Sequence, residues 1–411
     1  MLRFMGPLCI VMSVAAASGA SAEQRTLTLE EATRLALTNN PELRTLAAST
    51  DAAKARRAGA SLLFQSNPTV TATAGPRSSD VGKSSDYSVL VLQQFEIAGQ
   101  RGARIEAAEA ALEAMEAQVQ ALRADVAARV RENFGRALAA EQRVQLAAEA
   151  VAVAQQGVNA AEERFRAGAA PLLEVNTVRV ELGRATRARG DAERRRAEAF
   201  ADLHLLLGLD PLETVTLQGE QVSDEPVPGP AELVQEALAN RGEVKASRRA
   251  LDAAKAEARL ASREWIPSPR IGVSSSHEQE SNATIVQGVL SFDLPLFNRN
   301  KAARGVAASR VAQSETALEA TDRRIRQEVL TALARVQAAR SAADGYASDV
   351  VRAMQENMEL VTESYRAGKI DFLQLLVIRR QTLEARREYI DVLEELNAAR
   401  AQLNRALGRI P

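Results

Sequence analysis

The sequence repeats itself with an offset of roughly 200 residues, and this duplication constrains the fold more than any other feature. The stretch ERFRAG at 163–168 recurs as ESYRAG at 363–368. Nearer the start of each half, NNPEL at 39–43 corresponds to NRGEV at 240–244. Solenoid repeats are far shorter, at about 20 to 50 residues. We therefore expect a duplicated half-domain whose two copies pack side by side.

Each half contains two predicted strands that are joined by a polar loop. In the first strand, Val70, Ala72 and Ala74 alternate with threonines, which is the pattern of a half-buried strand. The second strand, over 87–97, has apolar residues on both faces, so its facing stays open at this point. Two strands with a polar connection predict a hairpin. The predicted hairpins cover 69–97 and 270–294, with loops at 77–86 and 276–282.

Long stretches without proline follow each hairpin and predict very long helices. In the first stretch, Leu112, Met115 and Val119 step by three and four, as in the seam of a coiled coil. At about 1.5 Å per residue, a helix over 99–167 is about 100 Å long. Gly168 suits the left-handed position that ends such a helix. The predicted long helices are 99–167 and 171–207 in the first half, and 298–367 and 371–407 in the second.

The N-terminus has the pattern of a secretory signal peptide. Arg3 precedes an apolar run over 4–17, and Ala20-Ser21-Ala22 forms a small-residue cleavage site. We therefore expect an exported protein from which residues 1–22 are removed. The remaining chain divides into a first repeat over 23–211, an irregular link over 212–230, and a second repeat over 231–411.

Charge and motifs argue against several classes of function. The formal net charge of −1 gives no electrostatic reason to bind nucleic acid. The sequence has no glycine-rich phosphate loop and no constellation of catalytic residues, so we expect a non-enzymatic protein without a cofactor. Its two histidines, His204 and His277, lie far apart, and we predict no metal site.

The hairpins raise the question of how so few strands enter a membrane. An open sheet edge cannot face lipid, because its N–H and C=O groups have no partners there. Membrane barrels begin at about eight strands, so three chains would have to share one barrel of about twelve. Phe64 and Trp265, just before the strands, would then anchor the chain at the membrane interface. A soluble coiled-coil protein with two surface hairpins is the alternative.

The whole of 23–411 resembles the TolC-type outer membrane efflux family. The resemblance lies in the opening LTLEEA at 27–32, in NPEL at 40–43, in the two hairpins and in the glycine-ended tips. Two segments, FEIAGQRGAR at 95–104 and LPLFNRN at 294–300, look like the cobalt–zinc–cadmium resistance branch. The resemblance implies a mainly α-helical fold, with a tunnel of long antiparallel coiled-coil helices and a small membrane β-barrel. Four strands per chain would build a trimeric, twelve-stranded barrel.

The family resemblance also implies a gate at the closed end of the tunnel. Tyr365 matches a family tyrosine, and Glu174 falls where the family has its aspartate partner. A hydrogen bond from the Tyr365 hydroxyl to the Glu174 carboxylate would be charge-assisted and therefore strong. Gln374 occupies a position of the family's acidic ring, and the nearby Asp371 either belongs to the gate or caps its helix. We favour the cap for Asp371.

The two tips are the expected docking sites for an adaptor protein. The residues concerned are Arg166 and Gly168 in the first half, and Arg366 and Gly368 in the second. The glycines would also end their helices, whatever binds there. Both roles are compatible.

The resulting hypothesis is an exit duct in the outer membrane with a long periplasmic extension. Its implied partners are a homotrimer, outer membrane lipid, a periplasmic adaptor and an inner membrane pump of the resistance–nodulation–division class. The implied cargo is divalent heavy-metal cations. One alternative keeps the duct for multidrug efflux or type I protein secretion. A second, from another class, is a periplasmic coiled-coil adaptor or scaffold that stays outside the membrane.

Overall fold

The computed structural model describes residues 25–80, 82–219, 228–346, 348–367 and 369–409. The predicted signal peptide and Gly368 lie outside the described residues, as does part of the predicted link. The helices are α1 (Leu29–Asn39), α2 (Pro41–Ala60), α3 (Gln100–Arg166), α4 (Leu172–Leu207), α5 (Pro230–Asn240), α6 (Gly242–Arg263), α7 (Lys301–Gly345), α8 (Ser348–Arg366) and α9 (Phe372–Leu407). The strands are β1 (Arg25–Leu27), β2 (Thr69–Ser79), β3 (Gly82–Gln94), β4 (Val215–Leu217), β5 (Arg270–Glu278) and β6 (Ala283–Ser291).

Long antiparallel helices dominate the molecule, which confirms the predicted fold class. Helix α3 has 67 residues, which corresponds to about 100 Å at about 1.5 Å per residue. Helices α2 and α4 pack along α3, and α6 and α9 pack along α7 in the same way. Helices α6 and α9 also contact α3, so the two halves lie side by side.

The junction between α1 and α2 shows why the chain folds back here. Thr28 and Glu31 form a capping box at the start of α1, which satisfies free backbone N–H groups. Asn40 accepts hydrogen bonds from the N–H groups of Glu42 and Leu43, and its amide donates to the carbonyl oxygen of Leu206 at 3.0 Å. One buried side chain therefore caps α2 and attaches it to the end of α4.

In the part of the chain that the structure describes, three apolar clusters hold the helices together, one in each half and one at the tips. In the first half Val126, Val130 and Phe134 of α3 pack against Leu203 and Leu207 of α4. The second half repeats this arrangement, with Ile325, Val329 and Leu333 of α7 facing Leu403 and Leu407 of α9.

The four longer strands form one antiparallel sheet in the order β2-β3-β5-β6, so each half contributes one hairpin. The predicted loop over 77–86 is wrong, because β2 extends to Ser79 and β3 begins at Gly82. The polar side chains pair across the strands: the hydroxyl groups of Thr73 and Ser88 are 2.8 Å apart. Arg77 and Asp86 form an ion pair of 3.0 Å.

Two other sequence predictions also need correction. Where one helix was expected over 298–367, the structure has α7 and α8, and Tyr346 between them leaves helical geometry. Gly345 weakens the helix at this point, and the Tyr346 hydroxyl donates to Glu388 of α9 at 2.9 Å. The predicted irregular link contains β4, which pairs in parallel with β1 and so belongs to the first half.

Among the described residues, no helix combines the length and the apolar character that crossing a membrane requires.

Candidate functional site

The first tip joins α3 to α4 through a tight, hydrogen-bonded turn. Gly168 has a φ of 71°, a left-handed conformation that favours glycine. The N–H of Ala169 donates to the carbonyl oxygen of Arg164 at 2.8 Å, which closes the end of the helix. The Arg166 side chain is 73% exposed and lies 3.5 Å from Glu162. Arg166 therefore presents its charge at the outermost point of this turn.

The second tip, between α8 and α9, has a backbone hydrogen bond that corresponds to one in the first tip. The N–H of Lys369 donates to the carbonyl oxygen of Ser364 at 2.9 Å, in the position that Ala169 and Arg164 occupy in the first tip. Arg366 is the last residue of α8.

Asp371 and Gln374 are bonded to each other at the start of α9. The N–H of Gln374 donates to Asp371 at 2.7 Å, and the N–H of Asp371 donates to the Gln374 side chain at 3.1 Å. This is a capping box, so both side chains serve the end of their own helix. Their predicted role in the gate stays a prediction.

Glu174 has a different partner from the one expected. Its carboxylate is largely buried and accepts a 3.0 Å hydrogen bond from Arg164. Within the described residues no hydrogen bond joins Glu174 to Tyr365, so the expected latch does not form in this conformation. The Tyr365 ring instead packs against Phe372, with ring centroids 5.9 Å apart.

Arg164 and Phe372 are the tip residues that sequence reasoning missed. The Arg164 guanidinium lies 6.0 Å from the centre of the Phe372 ring while also bonding Glu174. It therefore contacts the first turns of both return helices, α4 and α9. One signal was available in the sequence, because Arg164 and Glu174 are equidistant from the turn at Ala169.

An apolar cluster underlies these polar contacts and joins the two helical hairpins at the tips. Its buried members are Val158, Ala161, Val175, Val178, Val361, Phe372 and Leu375. Beside it, Glu162 accepts a 2.7 Å hydrogen bond from Arg179, which lowers the pKa of the Glu162 carboxyl below its ordinary value. The exposed rim of the tip is thus made of ion pairs around an apolar centre.

The other distinctive surface is one face of the four-stranded sheet. Apolar side chains from all four strands are exposed on this face: Val70, Val89, Val91, Ile271, Val273, Val286 and Leu290. The opposite face carries mainly Thr, Ser and Gln side chains. Tyr87, Val89 and Val91 lie on the apolar face, which settles the facing of β3.

The two predicted interface aromatics lie at the base of this sheet. Phe64 and Trp265 are 44% and 43% exposed, respectively. Phe64 packs edge-on against Phe95, with ring centroids 5.5 Å apart. Their role as membrane anchors stays a prediction.

The histidines do not gather other ligands around them. His277 stacks on Tyr87 at 5.0 Å and lies 3.1 Å from the Thr284 hydroxyl. His204 is buried near Phe200. Over the described part of the chain, no three side chains of His, Cys, Asp or Glu come together as a metal site.

A duplicated chain with a helix of about 100 Å, and with a sheet that exposes an apolar face, has the features of a protomer of an outer membrane channel. The model of the outer membrane efflux protein family matches residues 32–209 and 233–409. The chain belongs to this family, and it is an outer membrane efflux channel with a helical extension into the periplasm. Family members are transport proteins, which confirms that the chain is not an enzyme.

Individual relatives agree with this assignment. The chain is 27% identical over 318 residues to the cobalt-zinc-cadmium resistance protein CzcC of Cupriavidus metallidurans, covering 77% of this chain and 75% of that protein. The fold matches the CmeC outer membrane channel of Campylobacter jejuni with a TM-score of 0.76 at 16% identity, over 92% of this chain and 85% of that one. It also matches the open state of the MtrE channel of Neisseria gonorrhoeae, with a TM-score of 0.71 at 23% identity, over 92% and 88% of the two chains.

Proposed function

We propose that three copies of this chain form the exit duct of a tripartite efflux system that exports divalent heavy-metal cations. The inner membrane partner is a pump of the resistance–nodulation–division class, and a periplasmic adaptor joins the two. The observation that carries the cargo assignment is the similarity to CzcC over three quarters of both chains. The segments at 95–104 and 294–300, which resemble the same branch, support it.

The sheet supports the trimer. Within the described residues, its two outer strands, β2 and β6, each have an unpaired edge, and one face is apolar. Four strands cannot close on themselves in lipid, and about eight or more are needed for a barrel. Three chains together supply about twelve strands and leave no edge open.

The tips support the adaptor. Arg166 lies at the end of a long, rigid helical pair, is largely exposed, and makes a long contact with Glu162. At the second tip, the N–H of Lys369 bonds to the carbonyl oxygen of Ser364 in the same way as Ala169 bonds to Arg164. Charged side chains on a rigid end are suited to steer and orient a partner protein.

The cargo is tested by growth of a deletion strain on zinc, cobalt, cadmium, nickel, copper and a panel of organic drugs. We expect sensitivity that is confined to divalent metals and is restored by the wild-type gene. If the deletion strain is sensitive to drugs but tolerates metals normally, the protein is still an exit duct, but the metal cargo is rejected. A defect only in protein secretion would favour the type I system.

The periplasmic adaptor or scaffold is the remaining alternative from the sequence. The apolar face of the sheet argues against it, because a periplasmic protein would expose Val70, Val273 and Leu290 to water. Washing membranes with high salt separates the two. We expect the protein to stay with the outer membrane, whereas a scaffold would be released.

A further inference from the structure

The internal duplication defines how two copies of the chain meet. In the sheet, β3 of the first half pairs with β5 of the second half. We call this pairing the internal seam. Strand β6 is the repeat of β3, and β2 is the repeat of β5. Among the strands that the structure describes, β6 and β2 each have one open edge, so these two could form the same seam again between copies.

We propose that β6 pairs with β2 of a second copy in the register of the internal seam, so that Gln287 lies opposite Thr73 of the neighbour. This inference rests on the proposed trimer and adds its residue-level interface. Two landmarks fix the register, since Phe95 corresponds to Phe292 and Pro269 corresponds to Pro68. In the internal seam the N–H of Phe95 donates to the carbonyl oxygen of Pro269 at 2.8 Å.

Each residue pair of the internal seam has a counterpart between the two copies, found from these two landmarks. Val91 lies opposite Val273 in the internal seam. Their repeats are Gly288 and Ala72, which are therefore opposed between the two copies. In the same register, Leu290 lies opposite Val70 of the neighbour.

The direction of the backbone groups agrees with this pairing. Alternate residues of a strand point their N–H and C=O groups to opposite neighbours. Since Phe95 points to β5, the even-numbered residues of β3 point to β2, and Leu92 is paired with Thr69. The odd-numbered residues of β2 are thus used internally, and its even-numbered residues point to the open edge. Odd-numbered residues of β5 bond to β3, so its even-numbered residues bond to the odd-numbered residues of β6. The backbone groups of the even-numbered residues of β6 therefore point to its open edge.

The side chains agree as well. Val70 and Leu290 are each 65% exposed, and both lie on the apolar face of the sheet. Thr73 and Gln287 lie on the polar face. In the proposed register, the apolar face of one copy therefore continues into the apolar face of the next, and the polar face into the polar face. A shift of the register by one residue would place polar side chains beside apolar ones.

The helices below the sheet give independent support. Ala256 of α6 is fully buried, and Arg249 and Arg259 on the same side of α6 pair with Glu113 and Glu106 of α3. This side of α6, in the second half, therefore packs against α3 of the first half, directly below the internal seam.

The repeat of α6 is α2, and there the corresponding side is uncovered. The counterpart of Ala256 is Ala55, and the neighbouring counterparts on this side are Ala48 and Ala58. All three are exposed. A second copy that repeats the internal seam places its α7 against this side, because α7 is the repeat of α3.

Disulfide formation between engineered cysteines tests the register. Non-hydrogen-bonded neighbours in an antiparallel pair have Cα atoms about 4.5 Å apart, which is within the range for a disulfide. The only cysteine in the sequence, Cys9, lies in the predicted signal peptide, so we expect no competing thiol in the exported protein. The test pair is Thr73→Cys with Gln287→Cys. The matched controls keep Thr73→Cys and combine it with Val289→Cys or Ile285→Cys, each two residues out of register on the same face.

After oxidation in outer membranes, we expect the Thr73–Gln287 pair to give a covalent trimer on a non-reducing gel. Both controls should remain mainly monomeric. A trimer from either control instead would overturn the register while leaving the proposed duct intact. Native trimers without a disulfide in any variant would overturn the strand seam itself. If no variant and no unmodified chain is oligomeric, the proposed function fails as well.

A second measurement does not depend on disulfide geometry. Ala55 and Lys54 are adjacent and both exposed in the single chain. The counterpart of Lys54 is Lys255, which stays exposed beside the internal seam, whereas the counterpart of Ala55 is buried. In the assembled protein we expect a maleimide to label Lys54→Cys readily and Ala55→Cys at least tenfold more slowly. Equal labelling rates would overturn the placement of α7 on α2.

Discussion

Arg164 donates a 3.0 Å hydrogen bond to Glu174 across the turn between α3 and α4. The Glu174 side chain is only 10% exposed, and the guanidinium also lies over the Phe372 ring. One arginine therefore connects both return helices at the end of the molecule. This is the place where the family resemblance implied a latch between Glu174 and Tyr365.

The first prediction concerns this contact. Arg164→Met keeps an apolar stem and removes a hydrogen bond to a charged group, which is worth about 1.5–3 kcal/mol. If the contact holds the tip shut, the open population rises by about tenfold or more. We expect higher single-channel conductance in planar bilayers and greater sensitivity of cells to large antibiotics.

The control for this prediction is Tyr365→Phe, which keeps the ring on Phe372 and removes only the hydroxyl. We expect it to behave as the unmodified channel. The opposite result, with an open Tyr365→Phe channel and a closed Arg164→Met channel, would restore the tyrosine latch.

The second prediction concerns docking at the first tip. Arg166→Glu reverses an exposed charge and spares the turn, which Gly168 forms. We expect binding of the cognate adaptor to weaken at least tenfold, or about 1.4 kcal/mol, in an interferometry assay. Arg187→Glu, at an 87% exposed position on α4, is the control. Equal loss in both variants would point to general charge effects rather than docking.

The third prediction concerns two glycines with the same backbone conformation. Gly168 and Gly208 have φ values of 71° and 66°, so an alanine costs about 1–2 kcal/mol at either position. A Cβ at Gly208 would also lie 2.6 Å from the carbonyl oxygen of Asn39, whereas the space around Gly168 is open. We expect Gly208→Ala to lower the free energy of unfolding by about 1–3 kcal/mol more than Gly168→Ala does. Thermal melts of the two proteins in detergent measure the difference, and equal melting temperatures would contradict it.

The fourth prediction concerns pH. The hydrogen bond from Arg129 lowers the pKa of the Glu42 carboxyl from its ordinary value of 4.5. A carboxyl whose pKa is lower in the folded than in the unfolded protein stabilises the fold at any pH above its unfolded-state pKa. This contribution is lost as the pH falls through its folded-state pKa. Because the Glu42 side chain is 57% exposed, we expect at most about 1 kcal/mol.

Glu42→Gln tests the sign of this effect. The variant should be less stable than the unmodified protein at pH 7. The difference should begin to shrink near pH 4.5 and vanish only once the pH falls below the lowered pKa of Glu42 in the folded protein. A difference that is constant from pH 7 to pH 3 would show that the carboxylate charge plays no part.

The sequence by itself determined the architecture of this protein. The offset repeat, the proline-free stretches and the alternation in 69–74 predicted two halves, long antiparallel helices and one hairpin per half. These features depend on local periodicity, because each helix or strand shows its buried side at a spacing set by its own geometry. The capping box at Thr28 is equally local.

Only the tertiary structure decided which distant groups meet. The packing of α3 against α4 places the Glu174 carboxylate beside Arg164, which donates a hydrogen bond to it in place of Tyr365. Tyr346, where α7 ends, donates a 2.9 Å hydrogen bond to Glu388 of α9, a partner 42 residues away in the chain. The facing of β3 was open because both of its faces carry apolar residues, and its pairing with β5 fixed it. Such contacts join segments that are far apart in the chain, and the local periodicity of a single sequence carries no information about them.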